Sequence, residues 1–586
     1  MEKWLEIRKS ADFYAWADAL GVDPLCARII RNRGIENIEE AKKYLYGNLY
    51  DMNDPFLLPD MKEAVEGLYD SVSNGEKIGV VGDYDVDGVT STSILVKCLM
   101  AAGADVIYYI PDRVKDGYGI SDDIVRNLSS KDVKLIITCD NGIAAASQVH
   151  LAYELGIKVI VTDHHQVPFE MDGDIKKEIL PECIAVVDPH REGSSYPFRG
   201  ICGAMVAFKF MQAFCLEHPS AALKDAIEES IQFAALGTVC DIMELKDENR
   251  IIVKEGIKRI EQTKNPGLRA LIIANGLKDK KLGTYALSFI IGPCINSTGR
   301  LENAGESVEL LLSDDYDKCL GIAVRIRELN DSRKSMTQTG VKKALEIIKE
   351  NNMEDDKALV VFIPDIHESI VGLVAGKLKE AYNRPTYVIT KAEDGLKGSG
   401  RSIPAYNMFE KMNEVKDTFT KFGGHAMAAG FSLDYDKLDE MRNGILENCN
   451  LTDEDLVRTI TFDAVVPPEF ATLKLVQDLE KLEPVGVGNP GALFAAKAVS
   501  IVGISRMGKE KQYGNLTAVS GNKKIKLIYF GNMAELDAYI DEKYGTGSAE
   551  KVYAGRLSVN LDICYEISLG DFRGNAYIDY RLKSYR

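Results

Sequence analysis

The sequence predicts an α/β protein with a parallel-sheet domain, a second and smaller α/β domain, and a β-barrel of the OB type toward the C-terminal end. Three observations predict it. Between residues 77 and 188, short apolar runs alternate with helical stretches, the pattern of a parallel sheet covered on both faces. A second strand–helix–strand set occupies residues 354–450. Beyond residue 460, short β-rich runs are interrupted by one helix, which suits a five-stranded barrel.

Residues 1–76 read as helical, with a capping-box pattern from Asn37 to Glu40 and Asp60 placed to cap a helix over 61–72. The first strand spans 77–82, and its helix starts near Thr90. Further strands are expected over 105–112, 134–140, 158–165 and 183–188. Each ends in an Asp or an Asp-led cluster, and in parallel sheets ligands bind beyond the carboxyl ends of the strands. If the chain stays extended after the first strand, Asp83, Asp85 and Asp87 point the same way. Crowded carboxylates repel, and a bound cation relieves them. Asp140 ends another strand, and Asp163, His164 and His165 follow a third. These are two of only seven histidines, and a mixed carboxylate–imidazole set suits manganese or magnesium better than structural zinc. A bridging carboxylate would hold two metals together. Asp241, at the end of an apolar helix, is a further candidate.

Other segments suit anions. Arg113, Lys115 and Tyr118 share a glycine-containing stretch, where Arg113 could pair with phosphate and Tyr118 stack on a base. Asn296 and Arg300 are the reaching residues of another polar stretch. A polar helix over 330–353 connects to the second α/β unit, which carries two glycine-rich loops, one with Ser399 and Arg401 and one with Gly424 and His425. In the barrel, strands are expected at 499–503, 516–519, 524–530 and 551–555, with a helix over 534–544. Arg506, Lys509, Lys511, Lys523, Lys524 and Lys526 lie near Tyr513, Tyr529 and Phe530, a mixture that suits single-stranded nucleic acid.

Bulk composition is consistent with this. At 586 residues, several domains are expected, and 46% hydrophobic content can fill their cores. Eleven cysteines without a CxxC pair point to reduced thiols in the cytoplasm rather than disulfides or a zinc knuckle. The first residues lack a secretory core, and no run is apolar enough to span a bilayer. A net charge of −18 disfavours polyanionic partners globally but leaves room for local basic grooves.

Taken together, the motifs resemble the DHH phosphoesterase superfamily, and within it the RecJ single-strand-specific exonucleases. Val81-Gly-Asp-Tyr-Asp-Val-Asp-Gly88, Cys139-Asp-Asn-Gly142 and Asp163-His-His165 match the DHH-domain motifs. Gly398-Ser-Gly-Arg-Ser402 and Gly423-Gly-His425 are similar to the DHHA1 domain, and the 483–490 stretch to the entry of the RecJ OB domain. The resemblance implies a DHH domain over 77–329, a connecting helix over 330–353, a DHHA1 domain over 354–450 and an OB domain over 460–586. It implies two divalent ions, typically Mn2+, with Mg2+ as the alternative. Asp85, completed by Asp83, would bind one ion, Asp87, His164 and Asp241 the other, and Asp140 would bridge them. Val81 stands where many relatives carry His. His165 would contact the scissile phosphate, and Arg300, Ser399, Arg401, Gly424 and His425 the phosphates near the substrate end, with Tyr118 on a nucleotide. The implied activity is 5′-to-3′ hydrolysis of single-stranded DNA to mononucleotides in repair and recombination, by a monomer with single-strand-binding protein and a helicase as partners. The rival readings are a DHH enzyme acting on oligonucleotides or cyclic dinucleotides, and a replication scaffold without catalysis.

Overall fold

The apolar run Ile78–Val81 (β1) is buried at all four positions, as a strand covered on both faces must be. The helix Val86–Ala101 (α1) follows it, then strands Val106–Tyr109 (β2), Leu135–Cys139 (β3), Lys158–Thr162 (β4) and Ala185–Val187 (β5). All five pair in parallel in the order β2-β1-β3-β4-β5. α1 carries Thr90, Ser91, Thr92 and Ser93, residues that favour caps over helix interiors. All four are fully buried, and each hydroxyl donates to the carbonyl four residues back, at 2.5–2.7 Å. A polar run can therefore lie inside the core without orphaned groups. Helices Gly203–Glu217 (α2) and Ala221–Cys240 (α3) pack against α1.

A helix Gly292–Leu301 (α4) precedes the long helix Tyr316–Glu350 (α5). The connector expected over 330–353 therefore begins 14 residues earlier, capped by the Asp315 carboxylate, which accepts from the Asp317 and Lys318 N–H groups. Buried Cys319, Ala323, Ile326 and Asn330 recur at helical spacing and account for the extension. Next come Leu359–Phe362 (β6), the helix Val371–Tyr382 (α6), Thr386–Ala392 (β7), Gly395–Arg401 (β8), Lys421–His425 (β9) and Ala428–Leu433 (β10). Their sheet has the order β9-β10-β8-β7-β6. The two stretches expected to be glycine-rich loops are thus strands β8, β9 and β10. Glycine serves packing in β8: a Cβ at Gly398 would lie 2.2 Å from the Phe431 ring, and one at Gly400 2.2 Å from Met408 Sδ.

The barrel comprises Phe494–Met507 (β11), Tyr513–Ser520 (β12), Lys523–Tyr529 (β13), Val559–Phe572 (β14) and Asn575–Tyr585 (β15). It runs β11-β12-β13-β15-β14 and closes through a β11–β14 pairing. The helix Met533–Tyr544 lies between the third and fourth strands. Residues 551–555, expected as a strand, fall in and just after the helix Ser548–Tyr553, whose Val552 is fully buried; the run was too short for its period to be read.

This computed structural model describes residues 2–113, 116–117, 119–173 and 175–586. The chain divides into two compact units, one of residues 53–243 and 255–457, the other of 1–52, 244–254 and 458–586. The segment 1–76, read as helical, opens with a strand, Lys3–Glu6, paired in parallel with Thr459–Phe462. Asp60 does not cap its helix through its side chain; its Oδ2 accepts from the Val186 N–H instead. Arg33 ties the first 52 residues to the barrel side of their unit. Its guanidinium meets Asp463 in two parallel bonds of 2.7 and 2.9 Å, with both side chains under 5% exposed. Asp463 also accepts from Asn32 Nδ2 and the Leu493 N–H. Because removing one partner of a buried pair leaves an uncompensated charge, Arg33→Met is expected to destabilise this unit by about 3–5 kcal/mol in urea unfolding, whereas Arg33→Met/Asp463→Leu recovers part of the loss.

Candidate metal and phosphate site

The expectation of an extended Asp-x-Asp-x-Asp segment is not met. The helix α1 starts at Val86, four residues before Thr90, because Asp85 is its N-cap: Asp85 Oδ1 accepts from the N–H groups of Asp87 at 2.9 Å and Gly88 at 3.1 Å. Asp83 stays in the turn and Asp87 enters the first helical turn. The three carboxylates still meet other acids at the carboxyl rim of the sheet. Asp140 follows β3 in a left-handed conformation, φ 60°, which Asp tolerates better than most residues. Asp241 is the C-cap of α3.

Among the described residues, three sets of ligand atoms lie within 4.8 Å of one another: Asp83, Asp85 and Asp140; Asp87, His164 and Asp241; and Asp140, His164 and His165. His164 Nε2 is 3.1 Å from Asp140 Oδ1, 3.6 Å from Asp87 Oδ2 and 3.8 Å from Asp241 Oδ2. Asp140 and His164 thus join an all-oxygen group to one containing a nitrogen. Burial, and then the neighbouring carboxylates, raise the pKa values of Asp83, Asp85 and Asp140, and push Asp241 up to about 9. Asp83 Oδ1 is buried without a hydrogen-bond partner. A lone buried carboxylate oxygen facing two further acids fits a hard cation, and the donor set as a whole suits manganese or magnesium.

The remaining expected positions divide. Asp163 is no member of these groups. Its Oδ1 accepts from the N–H groups of His164 and His165 and lies 2.7 Å from His165 Nδ1, while Oδ2 accepts from the Ile143 N–H. Burial works against the His165 cation, but Asp163 overcomes it and holds the imidazole at a pKa of about 9. Burial also lowers the His164 pKa, so its ring is readily neutral and able to donate a lone pair. Of the Asp residues at the other strand ends, Asp112 and Asp188 also lie outside the three groups; Asp188 is buried and pushed up to about 8, by burial and then by Asp163. Val81 offers no ligand atom and packs with Ile120 and Ile136 in the core.

A cationic site lies on the second α/β sheet and α4. Arg300 Nη1 donates to the Ser369 carbonyl at 2.8 Å, just before α6. Arg401 Nη1 donates to Ser399 Oγ at 2.8 Å, and its guanidinium lies against Gly372 in the first turn of α6. Burial, then repulsion from Arg113, Arg333 and Arg401, pushes Arg300 down to about 10; burial, then Arg113, lowers Arg401. Arginines that repel one another beside a helix N-terminus make an anion site. Arg113 also lies over the Tyr84 ring, 4.9 Å from its centroid. Asn296 is four residues before Arg300 on α4 and so shares its face. His425 pairs with Ala428, which pairs with Arg401, so His425 and Arg401 project from one face of the sheet; Gly424 lies in the adjacent row, on the other face. Tyr118 and Lys115 lie outside the described residues. Arg333 and Tyr84 were not singled out from the sequence, and Asp163 was read as part of its motif without a role of its own. Asn296 and Arg300 stood out as the long polar side chains of a glycine-containing stretch, whereas Arg333 lies on a helix rich in exposed charge.

In the barrel, Lys524 and Lys526 alternate with buried Ile525 and Leu527 and point outward, and Tyr513 contacts Phe530 edge-on. Tyr529 is a core residue, and Arg506 is paired with Asp537.

Three family models match: the DHH family N-terminal domain over residues 77–238, the DHHA1 domain over 355–450 and the RecJ OB domain over 462–584. The chain is 34% identical over 548 residues to the single-stranded-DNA-specific exonuclease RecJ of Bacillus subtilis, covering 93% of this chain and 66% of that one. To the Escherichia coli enzyme of the same name it is 33% identical, covering 83% and 85%. Its fold matches the crystal structure of RecJ in complex with Mn2+ from Thermus thermophilus, with a TM-score of 0.81, 26% identity, and coverage of all of this chain and 79% of that one. No helix among the described residues is long and apolar enough to cross a membrane. The chain belongs to the RecJ family of the DHH phosphoesterases.

Proposed function

We propose that the protein is a metal-dependent exonuclease that hydrolyses single-stranded DNA from the 5′ end and releases mononucleotides. The observation that carries this reading is the joining of two ligand groups through Asp140 and His164, within the same unit as the cluster of Arg300, Arg113, Arg333 and Arg401. Asp83, Asp85 and Asp140 would hold one divalent cation, and Asp87, His164 and Asp241 the other, with Asp140 shared. Manganese is the first candidate and magnesium the second. The chemistry such a pair supplies is Lewis-acid charge, which lowers the pKa of attacking water and stabilises the leaving oxygen.

The chain's own residues do the rest. His165, held through Nδ1 by Asp163, presents its other ring nitrogen as a donor to a phosphate oxygen. Arg300, Arg401 and Ser399, with Arg113, His425 and Gly424 around them, bind the terminal phosphate, and Asn296 and Tyr118 contact the adjoining nucleotide. A phosphate fixed at one end sets which bond reaches the acids, and therefore the polarity. Within the limits 77–329, 354–450 and 460–586, these domains cleave, hold the strand end and bind the strand beyond. Because every group named comes from one chain, a monomer suffices. Such an enzyme would work in the cytoplasm, in repair and recombination, with a helicase to expose the strand and single-strand-binding protein to keep it extended.

The purified protein is tested with end-labelled single strands, duplexes and dinucleotides, with manganese, magnesium or chelator. Manganese-dependent release of mononucleotides from the single strand supports the reading; no hydrolysis, or equal digestion of duplex, contradicts it. Asp140→Asn should lower kcat more than about 1000-fold, since an acid shared by both groups is lost. Arg401→Ala should weaken binding of a 5′-phosphorylated strand about 10- to 100-fold, the value of one or two hydrogen bonds to a charged group, and leave a 5′-hydroxyl strand nearly unaffected. Manganese at a hundredfold excess over its Kd should stabilise the metal-free protein by about 2.7 kcal/mol, read as a rise in Tm that Asp140→Asn abolishes.

A further inference from the structure

Asp87 receives two backbone hydrogen bonds from a helix more than a hundred residues away. The Gly203 N–H donates to its Oδ2 at 2.6 Å and the Ala204 N–H to its Oδ1 at 2.9 Å. These are the first two residues of α2, whose N-cap, Cys202, makes no side-chain cap hydrogen bond. Asp87 thus does for α2 what a capping Asp does for its own helix, and the helix end gives its partial positive charge to this carboxylate.

The approach is possible only because two side chains are missing. A Cβ at Gly203 would lie 2.7 Å from Asp140 Cβ and 3.0 Å from Asp140 Cα and Oδ1. On the other flank, a Cβ at Gly237 in α3 would lie 2.7 Å from Asp87 Oδ1 and 2.6 Å from the Ala204 methyl. Gly203 thus occupies the gap between Asp87, in one ligand group, and Asp140, in the other. We infer that Gly203 is a positioning residue of the acidic centre: its missing side chain lets the N-terminus of α2 close between Asp87 and Asp140 and fix Asp87 by two N–H groups. Gly237 clears the opposite side for the same contact.

The inference rests on the metal-site reading above, and manganese titration of the metal-free protein by electron paramagnetic resonance separates the two. Wild-type protein should bind two ions. In Gly203→Ala, one affinity should fall about 10- to 100-fold, the range for losing a residue that orients a ligand, with the other nearly unchanged, kcat lowered and KM for single-stranded DNA held. Gly321→Ala, at an exposed position of α5 with open space around it, should bind manganese like the wild type. Gly203→Ala with both affinities and kcat at wild-type values overturns the inference, and so does an equal loss at both sites in a variant that remains folded. Wild-type protein that binds no manganese overturns the metal-site reading and this inference with it. Should Gly203→Ala fail to fold, hydrogen exchange in Asp87→Ala decides: loss of protection confined to the 203–204 amides supports the contact, and unchanged protection there refutes it.

Discussion

The structure is organised around a repulsion. Asp83, Asp85, Asp87, Asp140 and Asp241 crowd one rim of a parallel sheet, mostly out of water. Two like charges 4 Å apart repel by about 4 kcal/mol at the effective dielectric of a protein surface, and more deeper inside. The chain does not avoid this; it surrounds the acids with compensation. Asp85 caps α1, Asp87 takes the N-terminus of α2, and Asp163 holds His165 as a cation nearby. What compensation remains to be supplied is positive charge at the oxygens aimed inward, among them the partnerless Asp83 Oδ1.

The second α/β sheet shows the converse arrangement. Arg113 and Arg401 disfavour the charge of Arg300, Arg113 disfavours that of Arg401, and Arg300 and Arg401 donate to the Ser369 carbonyl and the Ser399 hydroxyl. A cluster of cations and a cluster of acids within one unit suit a substrate that carries anionic phosphate and needs cations to be cleaved. The bond from Arg300 to the Ser369 carbonyl joins α4 to the start of α6, so in the proposed function the phosphate end and the cleavage end would be fixed in one framework. Fixed separation turns recognition of a terminus into a choice of bond.

Much of this was legible in the sequence, for physical reasons. Strands covered on both faces must be continuously apolar, so β1, β3, β4 and β5 were visible, as was the apolar but half-buried edge strand β2, and the acids after β1 and β3 were visible as their ends. Asp241 was legible as the acid that ends an apolar helix. Less was legible where the backbone acts. Nothing in the side chains of Gly203 and Ala204 announces that their N–H groups hold Asp87; the one clue was a helix beginning at a Cys rather than at a capping residue. Asp163 carries the same side chain as the other acids, and only its four contacts distinguish an orienting carboxylate from a ligand. The glycines of β8 suggested an anion loop because an absent side chain looks the same whether it admits a phosphate or the Phe431 ring.

The central claim is that these acids and His164 enclose two cations. Diffraction from manganese-soaked crystals at the manganese absorption edge tests it most directly. The account predicts two anomalous peaks, one among Asp83, Asp85 and Asp140 and one among Asp87, His164 and Asp241, with Asp140 touching both. A map without peaks there, or with manganese bound only elsewhere on the chain, would contradict it.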